Sequence, residues 1–162
     1  MKTLLVERHA KSEHLGGGDH SRPLSERGVK QAREQGKILA QYPIDYVLCS
    51  SAVRARQTWE NAKLGGASAA AEEFSDALYD TWADEIITEL QVFDPEVDTL
   101  LIVGHEPTLS SLVWELAEPS DLRDLVSRRF PTATLAVLKI GEDWADAVPG
   151  NCELVRVSTP NA

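Results

Sequence analysis

Thr3-Leu4-Leu5-Val6-Glu7-Arg8-His9-Ala10-Lys11-Ser12 decides the fold. A short strand pattern, Thr3 to Glu7, runs straight into basic and imidazole side chains. Open α/β sheets are assembled from such units, a buried strand that delivers chemistry at its carboxyl end. The arrangement recurs twice. Tyr46 to Cys49 leads into Ser50-Ser51-Ala52-Val53-Arg54, and Thr99 to Val103 leads into Gly104-His105-Glu106-Pro107. Thr134 to Ile140 and Leu154 to Val157 supply two further strand patterns, and helical patterns alternate with the strands. The expected class is therefore α/β, an open and mostly parallel sheet with helices on both faces. No helix fits between Gly141 and Gly150, so the last strand is expected as an antiparallel or edge addition.

The helices have legible starts. The first is predicted from Ser25 as N-cap to about Gln41, with Leu24 and Val29 placed for a hydrophobic staple. A second follows Ser50-Ser51 to about Ala62. A third is read from Leu78, Trp82, Ile86 and Leu90, one apolar stripe at four-residue spacing. A fourth begins at Pro107 and buries Leu109, Leu112, Val113 and Leu116, and Ser120 to Arg129 is read as a short fifth. Gly16-Gly17-Gly18 and Gly65 to Ala71 have loop composition and are too short to link domains.

The whole chain, residues 1–162, is expected to form one domain, a size at which a single core suffices. No apolar run approaches the ~18 residues of a membrane span, and the amino terminus enters a strand without a signal-peptide pattern. A cytoplasmic location with no membrane partner is the resulting expectation. Cys49 and Cys152 read as buried thiols within strands. The net charge of −10 argues against nucleic acid, whose backbone demands a basic surface. A phosphate site in this chain must then be a local concentration of Arg and His on an acidic background.

All three strand ends supply such groups to one edge of a parallel sheet. Arg8 and Arg54 carry planar forks suited to two phosphate oxygens each. His9 and His105 divide into two tasks, attack on phosphorus by one imidazole and hydrogen bonding to a phosphoryl oxygen by the other. Attack requires an uncharged ring nitrogen, which neighbouring guanidinium charge favours. The helices that open at the second and third junctions direct first-turn amides toward the same edge.

These residues resemble the histidine phosphatase superfamily, the phosphoglycerate-mutase-like fold, and within it the short SixA-type phosphohistidine phosphatases. The family's first signature is a strand ending in Arg-His, usually followed by Gly; here Ala10 stands in that place after Arg8-His9. Ser50 to Thr58 resembles the second signature, with Thr58 four residues after Arg54. Arg22-Pro23-Leu24-Ser25-Glu26-Arg27-Gly28 is similar to the segment before the first helix in SixA-type members. The resemblance implies that His9 accepts the phosphoryl group, that Arg8, Arg54 and His105 bind it, and that Arg22 reaches the phosphate or its surroundings. It implies no cofactor. Other members place an acidic proton donor in a later insertion, where Asp80, Asp84 and Glu85 are the weak candidates.

The implied substrate is a phosphohistidine on a protein, such as a phosphotransfer domain, with a small phosphorylated metabolite as the alternative. A phosphoglycerate mutase is disfavoured, since mutases of this fold are longer. A metal hydrolase would need ligand spacing that His9, His14, His20, His105 and Asp19 do not have. Gly16 to Gly18 lacks both nucleotide-loop patterns. A non-enzymatic phosphate-sensing module would use the same pocket without turnover.

Overall fold

The computed structural model describes residues 1–14, 17–126 and 129–161. Its elements are β1 (Lys2–Arg8), α1 (Glu26–Leu39), β2 (Ile44–Ser50), α2 (Val53–Leu64), β3 (Ala69–Ser75), α3 (Ala83–Gln91), β4 (Thr99–Gly104), α4 (Thr108–Leu116), α5 (Asp121–Leu125), β5 (Leu135–Gly141) and β6 (Glu153–Ser158). Short 3-10 turns stand at Asp76–Leu78 and Trp144–Asp146.

β1 and β4 are buried along nearly their whole length, as expected of strands covered on both faces. Side chains alternate between those faces. Leu5, Val47, Cys49, Leu101, Val103, Leu135 and Val137 pack on one side against Leu39 of α1 and Ala55, Trp59 and Ala62 of α2. Leu4, Val6, Leu100, Ile102, Ala136 and Leu138 pack on the other against Ile86, Ile87 and Leu90 of α3 and the buried stripe of α4. All four α4 residues assigned to that stripe from sequence are buried.

The strand order is β3-β2-β4-β1-β5-β6. β3, β2, β4 and β1 run parallel, whereas β5 is antiparallel to both β1 and β6. From β1 the chain leaves toward β2 on one side; from β4 it leaves toward β5 on the other. The neighbouring ends of β1 and β4 therefore form a topological switch point, where open α/β sheets leave a crevice for ligands. Arg8-His9 and Gly104-His105 end the two strands that flank it, and the His9 amide continues the pairing to the Gly104 carbonyl at 3.0 Å.

Two expectations change. Ala69 to Ala71, read as loop, belongs to β3, a parallel edge strand whose alanines and glutamates show no strand periodicity because few of them are buried. The third helix begins only at Ala83: Leu78 lies in a separate 3-10 turn, and Trp82, read as core, is 65% exposed at the N-cap. The last strand, β6, is the sheet edge and pairs antiparallel with β5, as expected, and β5 is itself antiparallel to β1. Gly16 and the end of the fifth helical segment at 127–128 lie outside the described residues; α5 itself spans Asp121–Leu125, capped by Ser120.

α1 starts at its expected cap, where the Ser25 hydroxyl accepts from the Gly28 amide at 3.1 Å. Its inward face is small and polar because backbone approaches it closely. A Cβ on Gly36 would stand 2.2 Å from the Ala62 carbonyl oxygen of α2. Gly36→Ala should therefore destabilise the fold by about 1–3 kcal/mol through overpacking. Urea unfolding measures it, and a loss below about 0.5 kcal/mol would contradict the close helix contact.

Candidate active site

The crevice between the ends of β1 and β4 opens into a cavity of about 250 Å³. Arg8, His9, Arg22, Arg54 and His105, the five site residues named from sequence, all line it. Lys11, Ser12, His14, Glu106, Arg129 and Thr132 complete the wall. Asp80, Asp84 and Glu85 are exposed and lie outside that wall.

His9 is 7% exposed, and its Nδ1 lies 2.7 Å from the carbonyl oxygen of Ala10. A carbonyl only accepts, so Nδ1 carries the ring proton and donates it there, leaving the lone pair on Nε2. Burial pushes the His9 pKa down to about 3, and His105, Arg8 and Arg54 push the same way against the Ala10 hydrogen bond. Desolvation thus outweighs the guanidinium charges in keeping the ring neutral.

The backbone around His9 is tied on several sides. The Ala10 amide donates to Thr58 Oγ1 at 2.9 Å, and the Thr58 hydroxyl donates to the Arg54 carbonyl at 2.7 Å. The Lys11 amide donates to Gln31 Oε1 of α1 at 3.0 Å. Ala133 holds a left-handed backbone with φ 62°, costly for a residue with a Cβ, and so turns its amide onto the His9 carbonyl at 3.1 Å. Gln35 in turn donates to the Ala133 carbonyl at 2.7 Å.

His105 stacks obliquely beside His9, with ring centroids 5.3 Å apart. Its Nε2 lies 2.7 Å from Ser50 Oγ, which already accepts from the Ala52 amide. The assignment that satisfies the Ser50 hydroxyl has it donate to Nε2, so that Nδ1 bears the proton. That Nδ1 is buried without a hydrogen-bond partner among the described residues, as is Nε of Arg8. Burial, then Arg54, lowers the His105 pKa to about 4.

The arginines are held in place. Arg54, 7% exposed, donates to the Asp19 carbonyl at 2.8 Å and to Asp19 Oδ2 at 3.0 Å. Arg22 is spent on the loop, donating to Glu13 O, Asp19 Oδ1 and Ser12 Oγ. Arg8 donates to the Phe130 carbonyl at 2.6 Å. Glu106, the carboxylate in the wall, accepts from the Ser110 amide and hydroxyl and from the Phe130 amide, which braces the segment that holds Arg8. The first-turn amides expected to face a ligand are partly committed within the protein: Val53 N–H donates to the His20 carbonyl, and Ser110 N–H to Glu106.

Sequence reading missed Asp19, Ser50, Glu106 and Arg129 as parts of this site. Only spatial neighbours reveal Asp19 and Arg129, which lie in loops. Ser50 and Glu106 stand inside the quoted motifs, without a role assigned to them there. Among the described residues no group of three or more His, Cys, Asp or Glu side chains is arranged to hold a metal ion.

Neutral imidazoles enclosed by arginines at a switch point define an enzyme that handles phosphoryl groups. The chain belongs to the histidine phosphatase superfamily (branch 1), whose family model matches residues 4–91, and within it is of the SixA type. An uncharacterized protein of Mycobacterium tuberculosis is 41% identical over 160 residues, 94% of this chain and 99% of its own. A SixA phosphohistidine phosphatase homolog of Haemophilus influenzae is 29% identical over 129 residues, 70% of this chain and 76% of its own. Among solved structures, a candidate phosphohistidine phosphatase SixA from Nakamurella multipartitia shares 35% identity. It aligns with a TM-score of 0.88 across 99% of this chain and 97% of its own.

The two lowered pKa values fix a sign for pH dependence. The unfolded chain protonates both rings near pH 6.5, whereas the folded chain refuses those protons until about pH 4 and 3. Their contribution to stability is complete above pH 6.5 and is lost as pH falls, by about 1.4 kcal/mol per pH unit for each histidine. In NMR titration the His9 and His105 ring protons should hold constant shifts from pH 8 to 5. A midpoint near 6.5 for either ring would contradict the buried, neutral pair.

Proposed function

We propose that this phosphatase hydrolyses phosphohistidine on a protein partner, through a covalent phosphohistidine intermediate on His9 and without a metal. The observation that carries the reading is the hydrogen bond from His9 Nδ1 to the Ala10 carbonyl, which aims the nucleophilic lone pair from Nε2. In the first step Nε2 attacks phosphorus, a P–N bond forms to His9, and the bond from phosphorus to the substrate imidazole breaks. A substrate ring protonated on its other nitrogen departs neutral. His9 becomes a phosphoimidazolium whose proton stays on Nδ1, hydrogen-bonded to the Ala10 carbonyl. Water then attacks phosphorus, releasing inorganic phosphate, and His9 also departs neutral.

Both steps expel a neutral imidazole, so neither requires a strong acid. This suits a wall in which Glu106 is occupied as an acceptor and Asp80, Asp84 and Glu85 are absent. Arg8, Arg54 and the Nδ1 donor of His105 hold the phosphoryl oxygens where negative charge accumulates. Arg22 acts at one remove, by fixing Asp19 against Arg54. The two unpaired, buried thiols are in keeping with a cytoplasmic setting.

The experiment compares kcat/KM for a phosphohistidine peptide with that for p-nitrophenyl phosphate and a panel of sugar and nucleotide monophosphates. Phosphohistidine should lead, His9→Ala should abolish turnover, and Arg54→Ala should cost about 2–4 kcal/mol in transition-state stabilisation. A monophosphate ester favoured tenfold over phosphohistidine would transfer the same mechanism to a small metabolite.

A further inference from the structure

We infer that Tyr79 is a positioning residue of this active site. It clasps the loop that carries Asp19 and His20 against Arg54 and His105, and so sets two of the groups that receive the phosphoryl oxygens. The inference rests on the phosphate-binding roles proposed for Arg54 and His105.

Arg54 needs such support. Its guanidinium donates to Asp19 through the carbonyl at 2.8 Å and through Oδ2 at 3.0 Å, yet Asp19 is an exposed residue of the loop between β1 and α1. An exposed carboxylate held only by long cationic side chains gains little order from them. Tyr79 supplies a stiffer attachment. Its hydroxyl donates to the same Asp19 Oδ2 at 2.5 Å, from a side chain with only two torsions to fix. Asp19 pushes the Tyr79 pKa up, so the phenol remains a donor, and that hydrogen bond leads the influences that hold the Asp19 carboxyl below the usual carboxylate range. An uncharged donor thus secures the carboxylate without placing another cation beside Arg22 and Arg54.

The ring reaches the other members. It meets His20, the next residue of the loop, with centroids 4.9 Å apart, and His105 with centroids 5.6 Å apart, both edge to face. The guanidinium carbon of Arg54 lies 6.0 Å from the ring centre, at the outer limit of a cation–π contact. The loop before α1, the start of α2 and the end of β4 therefore share one side chain.

Tyr79 is itself placed by the sheet. β3 ends at Ser75, whose carbonyl accepts from the Ser51 amide at 3.1 Å and whose hydroxyl accepts from the Ala77 amide at 3.2 Å. Leu78 is buried in the core, and the Thr81 carbonyl accepts from the Thr108 hydroxyl of α4 at 2.8 Å. The segment is thus tied to the second strand junction on one side of Tyr79 and to the third on the other. Tyr79 stands outside the cavity wall and acts through residues that form it.

Steady-state kinetics with a phosphohistidine peptide tests the role. Tyr79→Phe keeps the ring and loses only the bond to Asp19, and kcat/KM should fall about fivefold or more as Arg54 loses its alignment. Asp19→Ala should cost at least as much, and adding Tyr79→Phe to it should cost less than about twofold more, because the acceptor is already gone. Tyr79→Leu, which removes the ring as well, should lie about threefold or more below Tyr79→Phe. Tyr46→Phe deletes a like bond from a tyrosine to a carboxylate, that of Glu73, near the start of β2, and should match the unaltered protein. The urea midpoint of Tyr79→Phe should also be unchanged. A Tyr79→Phe rate within about twofold of the unaltered protein, losses at Tyr79 and Asp19 that multiply, or a midpoint that falls with the rate overturns the positioning role. Equal rates for Tyr79→Leu and Tyr79→Phe overturn the part given to the ring. Full turnover by Arg54→Ala overturns the phosphate-binding reading beneath, and the role of Tyr79 with it.

Discussion

The hydrogen bond from His9 Nδ1 to the carbonyl of Ala10 is the constraint on which the rest of the site depends. It joins a side chain to the backbone of the next residue, so it forms only if the chain turns sharply just past β1. That turn is held from every side. Thr58 of α2 grips the Ala10 amide, Gln31 of α1 grips the Lys11 amide, and the left-handed Ala133 grips the His9 carbonyl. Three separate parts of the chain thereby converge on one imidazole orientation. In the proposed mechanism the bond selects Nε2 as the attacking nitrogen and, by keeping a proton on Nδ1, sets the charge with which the ring departs.

Burial complements that orientation. An imidazole among guanidinium groups in water would still be partly protonated near neutrality, whereas removal from water makes the charged form expensive at both His9 and His105. The arginines can therefore serve the substrate without being needed to suppress the histidines. Asp19 allows Arg54 and Arg22 to share a small volume, and Glu106 does the same for Arg8 through the segment containing Phe130. Asp19 and Glu106 thus order the cations of this site.

The parts visible in the sequence were those carried by strands and the residues just beyond them. β1, β2 and β4 announce themselves because burial on both faces demands continuous apolar runs, and Arg8, His9, Arg54 and His105, read from their ends, line one cavity. β3 escaped because an edge strand is held by backbone pairing and its side chains need not be apolar. The stripe through Leu78 and Trp82 misled because four-residue spacing also arises across a turn and a helix start that share no face. Asp19 and Arg129 were invisible for a different reason: their relevance comes from loops folding over the crevice, and loop composition records no neighbours. Arg22 was placed at the site, but its three bonds to Glu13, Asp19 and Ser12 make it a brace for the loop.

The central claim is that His9 attacks through Nε2 because Nδ1 is committed to the Ala10 carbonyl. A crystal structure with vanadate, which adopts the five-coordinate geometry of phosphoryl transfer, tests it most directly. The account predicts vanadium bonded axially to His9 Nε2, its equatorial oxygens toward Arg8, Arg54 and His105, with the Nδ1 bond to Ala10 intact. Vanadium on Nδ1, on another side chain, or in the cavity without a bond to His9 would contradict it.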